Sequence, residues 1–307
     1  MRAELARPGL ARATTAARGW RETVADYLAL TKPRIIILLL ITTVPAMILA
    51  AEGLPSLWLV VVTLVGGTLA AGGANAINCY VDRDLDQLMH RTQGRPLPSG
   101  RTEPEGALVF GVTLGLIAFV GLAALVNLLS AVLAASAMLF YVFVYTLWLK
   151  RSTPQNIVIG GAAGAMPPLI GWAAVTNSVE LPALVLFAIV VVWTPPHFWS
   201  LALHFSSDYE RAGVPMLPVI RGEGETKVQI VIYSLVLVAV SLLLFATGAV
   251  GYFYVGAALV LGAAFVLLAL RLLADAASRT SMALFAYSIV YLAFLFGAMA
   301  VDQLIRL

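Results

Sequence analysis

The sequence predicts an all-α fold, a polytopic integral membrane bundle of about nine transmembrane helices. Three observations carry that reading. Apolar residues make up 61% of the 307 positions and charged residues 11%, with a mean hydropathy of +0.94, far from the composition of soluble globular chains. The apolar residues recur in runs of roughly 20, the length a helix needs to cross the hydrocarbon of a bilayer. The basic residues between those runs collect on one side of the implied membrane.

Taken in order, residues 1–24 hold five arginines (Arg2, Arg7, Arg12, Arg18, Arg21) against Glu4 and Glu22, without the apolar core of a secretory signal. They read as a disordered cytoplasmic tail that feeds into the first span, although a mitochondrial transit peptide has a similar composition. Residues 25–307 read as one transmembrane domain, with spans at 35–51, 57–81, 107–126, 128–149, 156–175, 182–205, 229–248, 252–273 and 282–303. The runs 106–149 and 228–273 exceed one helix and divide at Asn127 and at 248–251. Pro167-Pro168 and Pro195-Pro196 should kink spans five and six, because each ring removes a backbone hydrogen bond. A bilayer tolerates such breaks where protein or a water-filled cavity covers them. Gly111, Gly115 and the small residues at 160–165 suit close helix approach, or a smooth wall for a flat or chain-like substrate.

With nine spans, 18 of the 19 lysines and arginines lie on the N-terminal side and only Arg306 lies opposite. The positive-inside rule makes that side cytoplasmic and puts the C-terminus outside. Cys79 is the single cysteine, which excludes an intrachain disulfide.

Chemistry concentrates where the second run ends, at Asn78-Cys79-Tyr80-Val81-Asp82-Arg83-Asp84-Leu85-Asp86. If the helix continues, Asn78, Asp82 and Asp86 share a face at steps of about 6 Å. Carboxylates in register suit Mg²⁺, which binds through one or two of them, several waters and the phosphates of a substrate. A diphosphate is the natural companion. The next loop carries Arg91, Arg95 and Arg101 among prolines, and arginine forks match phosphate oxygens. A solvated helix end with local ion pairs would use the same residue types, but acids inside a membrane chain are expensive and mark function by default.

Two further stretches end on the same side. Tyr145, Thr146, Lys150 and Arg151 close span four, where interfacial aromatics and flanking cations are also ordinary. Span six ends in His204-x-x-x-Asp208-x-x-x-Ala212, a partial echo of the first motif that keeps one acid.

The pattern Asn78-x-x-x-Asp82-x-x-x-Asp86 followed by Arg91-Thr92-x-x-Arg95-Pro96-Leu97-Pro98-Ser99-Gly100 resembles the first motif of the UbiA superfamily of intramembrane prenyltransferases, in the wording of its heme-farnesylating branch. The similarity extends over roughly residues 25 to 305. Ala212 departs from the second aspartate-rich motif usual in the superfamily, whereas 208–218 and Pro195-Pro196-His197-Phe198-Trp199 keep to that branch. The resemblance implies a UbiA-like bundle that transfers farnesyl from farnesyl diphosphate to the 2-vinyl group of heme b, leaving a hydroxyethylfarnesyl side chain. Heme b is then a substrate, the membrane a bacterial inner membrane, and a heme-modifying enzyme the downstream partner; nothing points to nucleic acid.

In that chemistry Asn78, Asp82, Asp86 and Asp208 are the catalytic candidates, and Asp82, Asp86 and Asp208 hold two Mg²⁺ ions. Arg95, Arg101, Lys150, Arg151 and Tyr145 bind diphosphate. Phe140, Tyr141, Trp172 and Trp193 are candidates for an apolar wall that keeps water from an allylic cation. His197 and His204 stand nearly two helical turns apart and so share a face that leads toward Asp208. Neutral imidazole ligates heme iron, so at least one of the pair, with His197 the deeper, is expected to position heme; each could instead satisfy a carbonyl or sit at the interface. An aromatic-ring polyprenyltransferase and a secondary transporter built on broken helices are the competing functions. Acids at span ends, rather than at midplane, speak against the transporter.

Overall fold

The computed structural model describes residues 19–306, so the tail reading for residues 1–18 lies outside the described residues. Helix α1 (Trp20–Leu30) precedes α2 (Pro33–Ala50) and α3 (Leu57–Val81). The short α4 (Arg83–Leu88) carries the acidic motif, and α5 (Pro104–Leu125) follows a loop. Helix α6 (Leu128–Leu139) continues through a π-helical stretch (Phe140–Leu149) into a last turn, α7 (Lys150–Ser152). Then come α8 (Asn156–Gly164), α9 (Met166–Thr176), α10 (Leu181–His204) and the short α11 (Ser206–Arg211). Helices α12 (Leu217–Ala246), α13 (Tyr252–Ala274) and α14 (Ser281–Ile305) complete the bundle. Among the described residues, nine helical stretches are long and apolar enough to cross a membrane.

The punctuation read from sequence has physical causes. Asn127 is a true N-cap: its Oδ1 accepts the Ser130 N–H at 2.8 Å, while its Nδ2 donates to the Ala173 carbonyl at 2.8 Å. That satisfies one of the N–H groups a helix start leaves without a partner. The 248–251 division is built on Gly248 at φ +78° and on buried Asp302 of α14, whose carboxylate accepts the N–H groups of Gly251 (2.6 Å) and Tyr254 (3.1 Å). Helix α13 is thus capped by a different helix.

Two spans differ from the sequence reading, while α10 carries Pro195 and Pro196 inside one helical element. Span five does not kink at Pro167-Pro168 but breaks at Ala165, leaving the prolines in the first turn of α9, where their missing N–H has no intrahelical partner to lose. The seventh span begins at Leu217 rather than 229, interrupted at Gly222 with φ 80° and ψ 169°; Arg221, Glu223, Glu225 and Lys227 hid that extension from an apolar-run criterion. In addition, residues 20–24, read as tail, are the first turns of α1. Its Trp20, Val24 and Leu28 form an exposed ridge, while Asp26 and Leu30 face inward.

Packing is closest between α3 and α5. A Cβ on Gly73 would stand 2.6 Å from the Gly111 carbonyl oxygen, and one on Gly111 would stand 2.7 Å from Ile77. Small residues therefore set this crossing, as expected where no hydrophobic drive separates helix from lipid. The last span returns to pack on α2 and α10, closing the bundle around a core that includes Trp193, Phe265, Tyr291 and Phe296.

Candidate active site

The acidic motif forms where α3 hands over to α4. The helix is nicked at Asp82 (φ −87°, ψ 6°), yet the Asp82 N–H still reaches the Asn78 carbonyl at 2.9 Å and the Asp86 N–H reaches the Asp82 carbonyl at 2.8 Å. The four-residue register survives the nick, and all three side chains are buried. Asn78 Nδ2 donates to Asp82 Oδ2 at 2.7 Å and to Thr146 Oγ1 at 3.1 Å.

The facing wall is the π-helical stretch. A backbone wound through i→i+5 bonds is rare and is frequent at functional sites. Here the Thr146 hydroxyl donates to the Tyr141 carbonyl five residues back at 2.8 Å, and Tyr141 stacks on Tyr145 with centroids 5.3 Å apart. The same winding points Lys150 at α3, where its Nζ pairs with Asp82 Oδ2. Arg151 grips Asp84 through both carboxylate oxygens at 2.8 Å, and that hydrogen bond holds the Asp84 carboxyl down to about 2. Arg151 Nη2 also lies 3.6 Å from Asp82 Oδ1.

Across the motif, Arg95 Nη1 bonds both oxygens of Asp86, at 2.9 and 2.8 Å. Burial works against the Arg95 charge, but the Asp86 carboxylate outweighs it and raises the guanidinium above its ordinary value. Arg101 turns to α1, where its Nε donates to Asp26 at 3.0 Å and its Nη2 to the Gly94 carbonyl at 3.0 Å. It braces the loop against α1.

Asp208 is buried on α11 and pairs with Arg211 at 3.3 Å. Ala212 sits in an apolar cluster with Leu85, Met89, Tyr209 and Met216, so the position where the echo loses its acid is a packing position. His204 is exposed at the end of α10, edge-on to Phe205. His197 is buried, its ring stacked between Trp193 (4.2 Å) and Phe285 (4.5 Å).

Among the described residues, no three acids, histidines or cysteines gather as a metal cage. The donor set nonetheless suits a hard cation shared with a substrate. Asp82 Oδ1 is buried with no hydrogen-bond partner, and carboxylate oxygens of this kind are what Mg²⁺ takes alongside waters and phosphates. In the protein alone, Lys150 and Arg95 neutralise the two acids.

One residue here escaped the sequence reading, and another was read only as one of three loop arginines. Lys32, held at φ 55° between α1 and α2, donates from Nζ to Asn78 Oδ1 at 2.7 Å. Arg91 donates to the Tyr209 hydroxyl at 2.6 Å and lies over the rings of Phe205 and Tyr209, 4.9 and 4.7 Å from their centroids. Lys32 carried one usable signal, a cation on the motif side of the membrane directly before the proline that opens α2; for Arg91 the sequence showed the arginine-rich loop but not the Tyr209 and Phe205 partners.

The sequence pattern of the UbiA prenyltransferase family matches residues 39–298 of this chain. The chain belongs to the UbiA prenyltransferase family. It is 56% identical over 283 residues to the protoheme IX farnesyltransferase of Symbiobacterium thermophilum, covering 92% of this chain and 95% of that protein. It is 51% identical over 303 residues to the protoheme IX farnesyltransferase of Roseiflexus sp., covering 99% of this chain but 57% of that longer relative. UbiA folds also match by shape. A digeranylgeranylglyceryl phosphate synthase structure superposes with a TM-score of 0.76 at 18% identity, over 93% of this chain and all of that one. A UbiA homolog from Archaeoglobus fulgidus bound to GPP and Mg²⁺ superposes with a TM-score of 0.64 at 18% identity, over 89% of this chain and 99% of that one.

Proposed function

We propose that this UbiA protein transfers the farnesyl group of farnesyl diphosphate to the 2-vinyl group of heme b, giving heme O. The observation that carries the reading is the meeting of two buried, helically registered carboxylates, Asp82 and Asp86, with the cations Lys150, Arg151 and Arg95 at one end of the bundle. The 56% identity to a protoheme IX farnesyltransferase along nearly its full length supports the choice of acceptor.

Asp82 and Asp86, with Asp208, would hold Mg²⁺ against the phosphate oxygens, and the bound ion would supply charge neutralisation for the leaving diphosphate. The chain's own residues do the rest. Lys150 and Arg95 exchange carboxylate partners for phosphate oxygens when substrate arrives, and Arg151 and Tyr145 border the same space. Cleavage of the carbon–oxygen bond sends its electron pair to diphosphate and leaves an allylic cation. The heme vinyl π electrons form the new carbon–carbon bond; water oxygen then adds to the resulting cation and loses a proton. Aromatic side chains around Tyr141, Trp172 and Trp193 exclude water from the first of these steps. His197, the deeper histidine, positions heme through its iron.

The motif side faces the cytoplasm of a bacterial cell, the chain from α1 onward acts as one domain, and heme O passes to a heme-modifying enzyme. The test is direct. Purified protein supplied with heme b, farnesyl diphosphate and Mg²⁺ should form heme O, detected by chromatography and mass. Turnover of an aromatic ring acceptor, with none of heme, would overturn the assignment.

A further inference from the structure

The hydrogen bonds around His197 assign its tautomer. Two short contacts converge on the Ser288 hydroxyl of α14: Oγ to the Phe285 carbonyl at 2.6 Å, and Oγ to His197 Nδ1 at 2.6 Å. A hydroxyl carries one proton and can accept as well. The Phe285 carbonyl can only accept, so the Ser288 proton goes there. Ser288 must then accept from the ring, which places the histidine proton on Nδ1. The site is buried throughout: Ser288 has no exposure and His197 has 6%, so water does not compete for these groups. The ring cannot rotate out of the arrangement easily, because Trp193 and Phe285 cover it at 4.2 and 4.5 Å, within 18° and 23° of coplanarity. Trp193 is itself pinned, its Nε1 donating to the Ser288 carbonyl at 2.8 Å. One residue of α14 thus fixes both the histidine and the ring stacked on it. Among the described residues, Nε2 makes no hydrogen bond.

We propose that Ser288 is a positioning residue that holds His197 in the Nδ1–H form, so that Nε2 presents an in-plane lone pair to the heme substrate. Trp193 and Phe285 cover the two faces of the imidazole, so iron would have to bind along the in-plane direction of Nε2. A hydrogen bond at Nδ1 also raises the basicity of the ligating nitrogen and fixes ring orientation. The heme part of this proposal rests on the function proposed above; the tautomer part does not.

The experiment separates the two. The chain has three histidines, so protein carrying isotopically labelled histidine gives few nitrogen resonances, and those of His197 are the ones lost in His197→Ala. In heme-free protein, His197 should show a protonated Nδ1 and a bare Nε2. Ser288→Ala should mix the tautomers, and Ser288→Thr, which keeps the hydroxyl, should restore the single form. Heme b titration should then show affinity weakened about fivefold to tenfold in Ser288→Ala, the scale of one hydrogen bond, with a shifted iron–histidine stretching band and recovery in Ser288→Thr. A wild-type His197 protonated on Nε2 overturns the proposal before any heme is added. If the tautomer responds to Ser288 while the heme spectrum ignores both Ser288→Ala and His197→Ala, the positioning stands and the heme role of His197 falls.

Discussion

Replacing Asp82 by asparagine should remove turnover while leaving a folded membrane protein. The amide is nearly isosteric, and its oxygen can still accept the Asn78 Nδ2–H bond that now spans 2.7 Å, so the handover from α3 to α4 survives. What disappears is the negative charge that faces Lys150 and Arg151. In the resting protein the Lys150 side chain keeps 14% of its exposure, so losing its partner costs less than the roughly 3–5 kcal/mol of a fully buried broken pair. On the proposed mechanism the same charge helps to balance a metal and a leaving diphosphate in turnover, and losing one such stabilising group costs on the order of 10²-fold, about 2.7 kcal/mol. The assay is heme O formation at saturating farnesyl diphosphate across a Mg²⁺ titration, with thermal unfolding in detergent as the control. Lys150→Met in the Asp82→Asn background should cost less than it does alone, because residues in one ion pair couple. Near-wild-type rates in Asp82→Asn with magnesium still required, or full additivity of the pair, would refute the reasoning.

Asp302→Ala strips two backbone N–H partners from the start of α13 together with the contact to Arg306 at 3.4 Å; thermal unfolding should show a loss of about 1–3 kcal/mol, with no change in the Mg²⁺ requirement. Gly160→Ala would place a Cβ 2.3 Å from the Tyr145 ring, and displacing that ring should lower turnover by up to about 10²-fold, whereas Gly164→Ala, with nothing within 4 Å, should be silent. Reporter fusions after Arg101 and after Glu180 should label opposite faces of the membrane; the same face for both refutes the nine-span count. Asp84 has its carboxyl held near 2 by Arg151, below the ordinary 3.8, so its clamp contributes fully above about 3.8 and is lost as pH falls through 2. The stability difference between wild type and Asp84→Asn should shrink over that window, and a difference that persists at the acid end would show that the ion pair is not its source.

Much of this protein was legible in the chain because a bilayer is a strict reader. It demands runs of about 20 apolar residues and internal satisfaction of every backbone group, so span number followed from run lengths and the one-sided placement of Lys and Arg, and Asn127 marked a boundary whose capping bond only the structure shows. The Asn78, Asp82 and Asp86 face followed from helical period and needed no tertiary information. The folded structure alone decided which partners those residues meet. Lys32 reaches Asn78 across 46 positions, Lys150 reaches Asp82 across 68, Ser288 reaches His197 across 91 and Arg91 reaches Tyr209 across 118. Membrane helices are apolar on nearly every side, so periodicity does not say which face looks inward or at which neighbour. The π-helical turn that aims Lys150, the break at Ala165 and the turning of Arg101 toward Asp26 come from the competition of backbone and side-chain hydrogen bonds once the helices are packed, and that competition has no local spelling in the sequence.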